Sequence, residues 1–190
     1  MRIRFFSLCL LQLSFFLLQS PAQDTLLLFH PTAYNLELFQ NLQEEGIFSP
    51  DNYHILGVYH ERETYDYEKS RAYLSAHPEA AFSLHVVRAE LHPGNLFERN
   101  PGTAEFESLF RQSQGALFMG GPDIPPVTYK EKVHLLTSVT DPHRHFLELS
   151  YVFHLLGGSQ DPGWASYLDE NPDYLISGIC LGMQTMHVAT

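Results

Sequence analysis

The sequence predicts an α/β fold around a largely parallel sheet, on three observations. Short buried-type apolar runs of strand character alternate with segments of helical period along the chain after residue 22. That alternation is the pattern of strands joined by helical crossovers. With 190 residues, 44% apolar and 17% charged, the chain has a globular composition and is long enough for one sizeable core. It contains no internal repeat, low-complexity tract or long linker, so residues 23–190 read as a single domain.

The elements follow in order. Residues 1–22, MRIRFFSLCLLQLSFFLLQSPA, read as an export signal: Arg2 and Arg4 form a basic start, Phe5 to Leu18 an apolar run, and Ser20-Pro21-Ala22 a small-residue cleavage site. The run is short of the ~20 residues a spanning helix needs, so the expectation is an exported protein with no stable membrane insertion after cleavage. Thr25–Phe29, His54–Tyr59, Phe82–Val87, Ala116–Met119 and Tyr174–Ile179 read as strands. Tyr34–Glu45, Tyr67–Ala76, Ala104–Ser113, His143–Leu156 and Leu181–Ala189 read as helices. Asn35 and Asp66 are candidate caps, and Gly46 and Gly157 follow the ends of helical patterns. In the fourth helix Phe146, Leu149, Tyr151, Val152, Phe153 and Leu156 form a wide apolar stripe.

Charge narrows the function classes. With 11 Lys+Arg against 22 Asp+Glu the formal charge is −11, and loss of the leader takes it to −13. A nucleic-acid binder needs a cationic face for phosphates, so nucleic acid is not an expected partner. The two cysteines, Cys9 in the leader and Cys180, sit in contexts too different to pair. An exported chain left with Cys180 alone forms no internal disulfide, so that thiol is either buried and inert or reactive.

Cys180 favours the reactive reading. Gly178-Ile179-Cys180-Leu181-Gly182 follows an apolar strand and opens a helix, the thiol counterpart of the G-x-S-x-G elbow. A sharp strand-to-helix turn lifts the nucleophile clear of the sheet, and the crowded turn favours glycine two residues to either side. The helix start favours thiolate, and the Leu181 amide is suited to stabilising an oxyanion. Gly120-Gly121, after a strand, suits close backbone approach and outward-turned amides.

GICLGMQ at 178–184 resembles the nucleophile motif of class I glutamine amidotransferase-like proteins. Gly115–Pro126, GALFMGGPDIPP, resembles the oxyanion strand and loop of the branch containing γ-glutamyl hydrolases and γ-glutamyl-γ-aminobutyrate hydrolases. Asp141-Pro142-His143-Arg144 with Glu148 is similar to the D-x-x-R-x-x-x-E segment that precedes the elbow there. The resemblance covers roughly 115–190. It implies a flavodoxin-like fold and a Cys180 that attacks a γ-glutamyl amide to give a thioester. It further implies an oxyanion hole from the amides of Leu181 and Gly121, beside Gly120, and Gln184 holding the glutamyl moiety. Asp123 and Arg144 are supporting candidates, although an i,i+4 ion pair of Arg144 with Glu148 on the helix face is the simpler role. The partners implied are small γ-glutamyl compounds, with no cofactor and no metal.

A cysteine hydrolase also needs a base and its orienter. In the resembled family these are a His-x-Glu pair well downstream of the elbow. After Cys180 only His187 occurs, two turns along the elbow helix, and it reads as a helix-face residue. His77-Pro78-Glu79 carries suitable letters but precedes the elbow. The expectation is therefore an N-terminal part of a longer protein, inactive alone, with the pair beyond residue 190. A metal reading has little support: His60-Glu61-Arg62-Glu63-Thr64 lacks the second histidine of H-E-x-x-H, and His143 and His145 face different ways on a helix. The stretch Tyr59–Glu68 (YHERETYDYE) reads by default as a solvated loop and helix start. Two other functions are compatible with the elbow: a glutaminase domain feeding ammonia to a synthase, and a non-catalytic γ-glutamyl-binding protein.

Overall fold

The computed structural model describes residues 24–47 and 53–190; the expected export signal lies outside them. Five strands form one sheet: β1 (Asp24–Phe29), β2 (Tyr53–His60), β3 (Phe82–Val87), β4 (Gly115–Phe118) and β5 (Leu175–Gly178). Every pairing is parallel, and the order is β3-β2-β1-β4-β5. Helices α1 (Ala33–Glu44), α2 (Glu68–Ala76), α3 (Thr103–Arg111), α4 (Pro142–Leu156) and α5 (Leu181–Ala189) alternate with them. This is the α/β architecture expected, a flavodoxin-like three-layer arrangement. The strand succession reverses direction between β1 and β4, where such sheets open a crevice beyond their carboxyl ends.

Strand β1 shows why the sheet is covered on both sides. Leu26 and Leu28 pack with Leu36 and Phe39 of α1, and with Ile55 and Met119. Leu27 and Phe29 point the other way, into a larger cluster with Phe106 and Leu109 of α3 and Leu149, Tyr151 and Val152 of α4. Phe29 is the hub: its ring lies 4.7 Å from that of Phe118 and 4.8 Å from that of Tyr151. Each such fully buried side chain contributes about 1.5–3 kcal/mol.

The helix ends follow local chemistry, with two corrections. Thr32, not Asn35, caps α1, its hydroxyl accepting from the Asn35 amide at 3.1 Å. Thr32 precedes the helix in extended backbone, the geometry a cap requires, whereas Asn35 is already helical. Asp66 Oδ1 accepts from the Glu68 amide at 3.2 Å, but the residue at the cap position of α2 is Tyr67, which lies in helical backbone and makes no side-chain capping bond. Asp141 caps α4 through the Arg144 amide, with Pro142 at the first helical position. Gly46 (φ +70°) and Gly157 (φ +66°) close α1 and α4 in left-handed backbone. Helix α4 is buried well beyond its predicted stripe, because Arg144, His145, Glu148, Ser150 and His154 are buried as well. Among the described residues no helix is long and apolar enough to cross a membrane.

Candidate active site

Cys180 stands between β5 and α5 at φ +54°, ψ −106°. A side chain held in that region costs on the order of 1–3 kcal/mol and persists only where the surroundings over-determine it. Here the glycines on either side do so. A Cβ at Gly182 would run into the Phe118 carbonyl oxygen, and one at Gly178 would meet the Gly182 and Met183 backbone at 2.6–2.7 Å. The turn is held by Ile179 N donating to Phe118 O at 2.9 Å and Gly182 N to Ile179 O at 3.0 Å. Cys180 is exposed.

The glycine loop lies alongside. A Cβ on Gly120 would sit 3.5 Å from Cys180 Cβ, so the loop backbone and the thiol share one space. Neither the Leu181 nor the Gly121 amide donates to a protein acceptor among the described residues. Gln184 is exposed one turn into α5. It borders a hollow of about 480 Å³ together with Asp123, Tyr129, Leu136 and His187. Asp123 pins the loop that follows: its carboxylate accepts from Ser138 N at 2.8 Å and its own amide donates to Ser138 O at 3.0 Å.

Arg144 departs from the helix-face ion pair. The pair with Glu148 exists at 2.7 Å, but both side chains are buried. The guanidinium also donates through Nη2 to the carbonyls of Met119 at 2.7 Å and Gly120 at 3.1 Å. Arg144 thus fixes the end of β4 and the start of the glycine loop. Burial pushes the Glu148 carboxyl up, against the pull of the Arg144 guanidinium. His187 is exposed on α5, away from the Cys180 end of the helix.

A second polar group, not anticipated as a site, lies at the carboxyl ends of β1 and β2. His30 follows β1 at φ +56°, its carbonyl held by the Asn35 side chain at 2.8 Å. Its Nδ1 pairs with Glu63 Oε2 at 2.7 Å, and the Tyr67 hydroxyl donates to the same oxygen at 2.5 Å. Glu63 Oε1 accepts from His60 N at 2.8 Å. Within the stretch read as a solvated loop and helix start, Glu61, Arg62, Thr64, Asp66 and Glu68 are exposed as expected, but Tyr59, His60 and Tyr67 are buried, as is the Glu63 side chain. Burial and the adjoining Glu63 charge hold the Tyr67 phenol well above its usual range. His143 stacks on His60 at 5.3 Å while His145 turns inward, as two residues two apart on a helix must. The signal that would have found this group is positional: His30 and His60 end two buried strands, where such sheets carry their chemistry.

No family model, curated protein or solved structure matches the chain.

Proposed function

We propose that the protein hydrolyses γ-glutamyl amide bonds through Cys180. The observation that carries this reading is the strained, exposed cysteine at a strand-to-helix turn whose flanking glycines admit no side chain. The resemblance of GICLGMQ and GALFMGGPDIPP supplies the substrate class. In this reading the Cys180 thiolate attacks the γ-carbonyl carbon. The amides of Leu181 and Gly121 stabilise the oxyanion, and the protonated amine leaves as the thioester forms. Water then attacks the thioester, releasing the γ-carboxylate and restoring the thiol. Gln184 holds the glutamyl moiety, and Arg144 positions the glycine loop through two carbonyls. The step also requires a general base that takes the thiol proton and passes it to the leaving amine, a role the resembled family gives to a His-x-Glu pair. The leader-like residues 1–22 favour hydrolysis outside the cytosol over ammonia donation to a nucleotide-dependent synthase.

The test is affinity alkylation followed by peptide mass mapping. A diazoketone analogue of glutamine is expected to label Cys180 alone, at least tenfold faster than a diazoketone lacking the glutamyl part. Equal rates for the two reagents would remove the γ-glutamyl assignment. Hydrolysis of a γ-glutamyl anilide that persisted in Cys180→Ala would remove the thioester mechanism.

A further inference from the structure

The crevice between the ends of β1 and β4 contains a partly open space of about 250 Å³, separate from the hollow beside Gln184. Its wall includes His30, Tyr65, Pro122, Asp141, Arg144 and His145. What matters is which hydrogen-bonding capacity in that wall is already used. Asp141 Oδ2 accepts from Thr64 N at 2.7 Å and Thr64 Oγ1 at 3.1 Å, and Oδ1 from Arg144 N at 3.3 Å. Behind His30, both oxygens of Glu63 are taken as well. The Asp141 and Glu63 carboxylates are thus already engaged by the protein itself.

The unspent groups are donors. Arg144 uses Nε on Glu148 and Nη2 on the glycine-loop carbonyls, and Nη1 takes part in none of these bonds. A Cβ on Gly121 would fall directly on that Nη1, so glycine at 121 keeps it uncovered. The Tyr65 oxygen accepts from Ala33 N at 2.9 Å, which leaves its hydroxyl hydrogen to give. His30 turns Nδ1 to the Glu63 carboxylate and leaves Nε2 without a protein partner among the described residues. His145 is 1% exposed and its Nδ1 has no hydrogen-bond partner among the described residues. A buried ring nitrogen left open in this way loses free energy unless something occupies the space beside it.

We propose that this space is a binding site for a small aliphatic carboxylate, gripped by Arg144 Nη1 and the Tyr65 hydroxyl, with His30 and His145 lining it. An anion supplies acceptor oxygens to these open donors, and charge-assisted bonds to a guanidinium favour a carboxylate. The volume admits roughly eight water molecules, enough for an acid of about five carbons. The carboxylate belongs either to a free acid or to a compound that also reaches Cys180; the chemistry of the grip is the same. The site stands on its own residues, whatever Cys180 does.

The experiment is calorimetric titration of the full chain with glutarate, with ¹H–¹⁵N spectra of the histidine rings as a position-specific readout. Saturable binding that moves the His30 and His145 ring signals is expected. The uncharged diamide of glutarate should bind at least tenfold more weakly, and Tyr65→Phe should weaken glutarate about tenfold. His145→Phe breaks no protein hydrogen bond among the described residues, and filling the space should abolish binding in a folded protein. Unchanged affinity in Cys180→Ala supports a site independent of the thiol, whereas loss there would assign the carboxylate to the elbow and overturn the proposal. Absence of saturable shifts, equal binding of the diamide, full affinity in His145→Phe, or tighter binding of inorganic phosphate would each overturn it too.

Discussion

At the scale of single residues, Cys180 and its glycines are one device. The strain is local to Cys180, and Gly182 must lie against the Phe118 carbonyl for the turn to close. Gly182→Ala is expected to destabilise the fold by about 2–3 kcal/mol and to slow thiol alkylation, because the backbone has to shift. Denaturant midpoints and the rate of iodoacetamide labelling measure both. Gly120→Ala is a contrasting control, since its Cβ would make an ordinary 3.5 Å contact with Cys180 Cβ; wild-type stability is expected. Cys180→Gly should raise stability by about 1 kcal/mol in the same assay, as relief of side-chain strain outweighs added chain entropy. An unchanged or lowered midpoint would mean that the turn is not strained. Cys180 was legible as a residue because its chain neighbours carry the pattern. His30 was not, because its partner Glu63 is 33 residues away and no local spacing joins them.

At the scale of elements, α4 shows the limit of periodicity. Its apolar stripe was readable, but its remaining face is also buried, with Arg144 and Glu148 inside. A charge pair at i,i+4 looks the same in sequence whether it faces water or a sheet edge. Burial changes its energetics. Arg144→Met leaves Glu148 buried without its partner and is expected to cost about 3–5 kcal/mol, whereas the Arg144→Met/Glu148→Leu double variant should recover most of it. Urea titration of both variants tests this, and additive losses in the double variant would refute the account. The same helix gains His154, whose Nδ1 donates to Ser150 O at 2.7 Å and whose Nε2 accepts from the Thr103 hydroxyl at 2.8 Å. That pattern needs a neutral ring.

At the scale of the whole molecule, these buried rings predict how stability responds to acid. Burial, with the Arg144 charge adding to it, pushes His145 down to about 4. Burial pushes His154 down to about 4 as well. In the unfolded chain both take up protons near the ordinary value of about 6.5. Stability is therefore complete above about pH 6.5 and lost as pH falls toward 4, by up to about 3 kcal/mol for each ring. Urea denaturation at pH 7.5, 6 and 5 should show that slope, and His154→Gln should flatten it by roughly half. A profile flat between pH 7.5 and 5 would contradict neutral buried rings.

The sequence by itself determined the α/β class, the five strands and five helices of the described residues to within a few residues, and the cysteine at the strand-to-helix turn. These depend on contacts between near neighbours: apolar period, glycine at turns, and the steric demands of one strand-to-helix corner. Only the tertiary structure decided the strand order, and with it the crevice between β1 and β4. It alone brought His30 to Glu63 and Arg144 to the glycine loop. Those pairings join residues far apart in the chain, and their energies depend on a burial that no local pattern encodes.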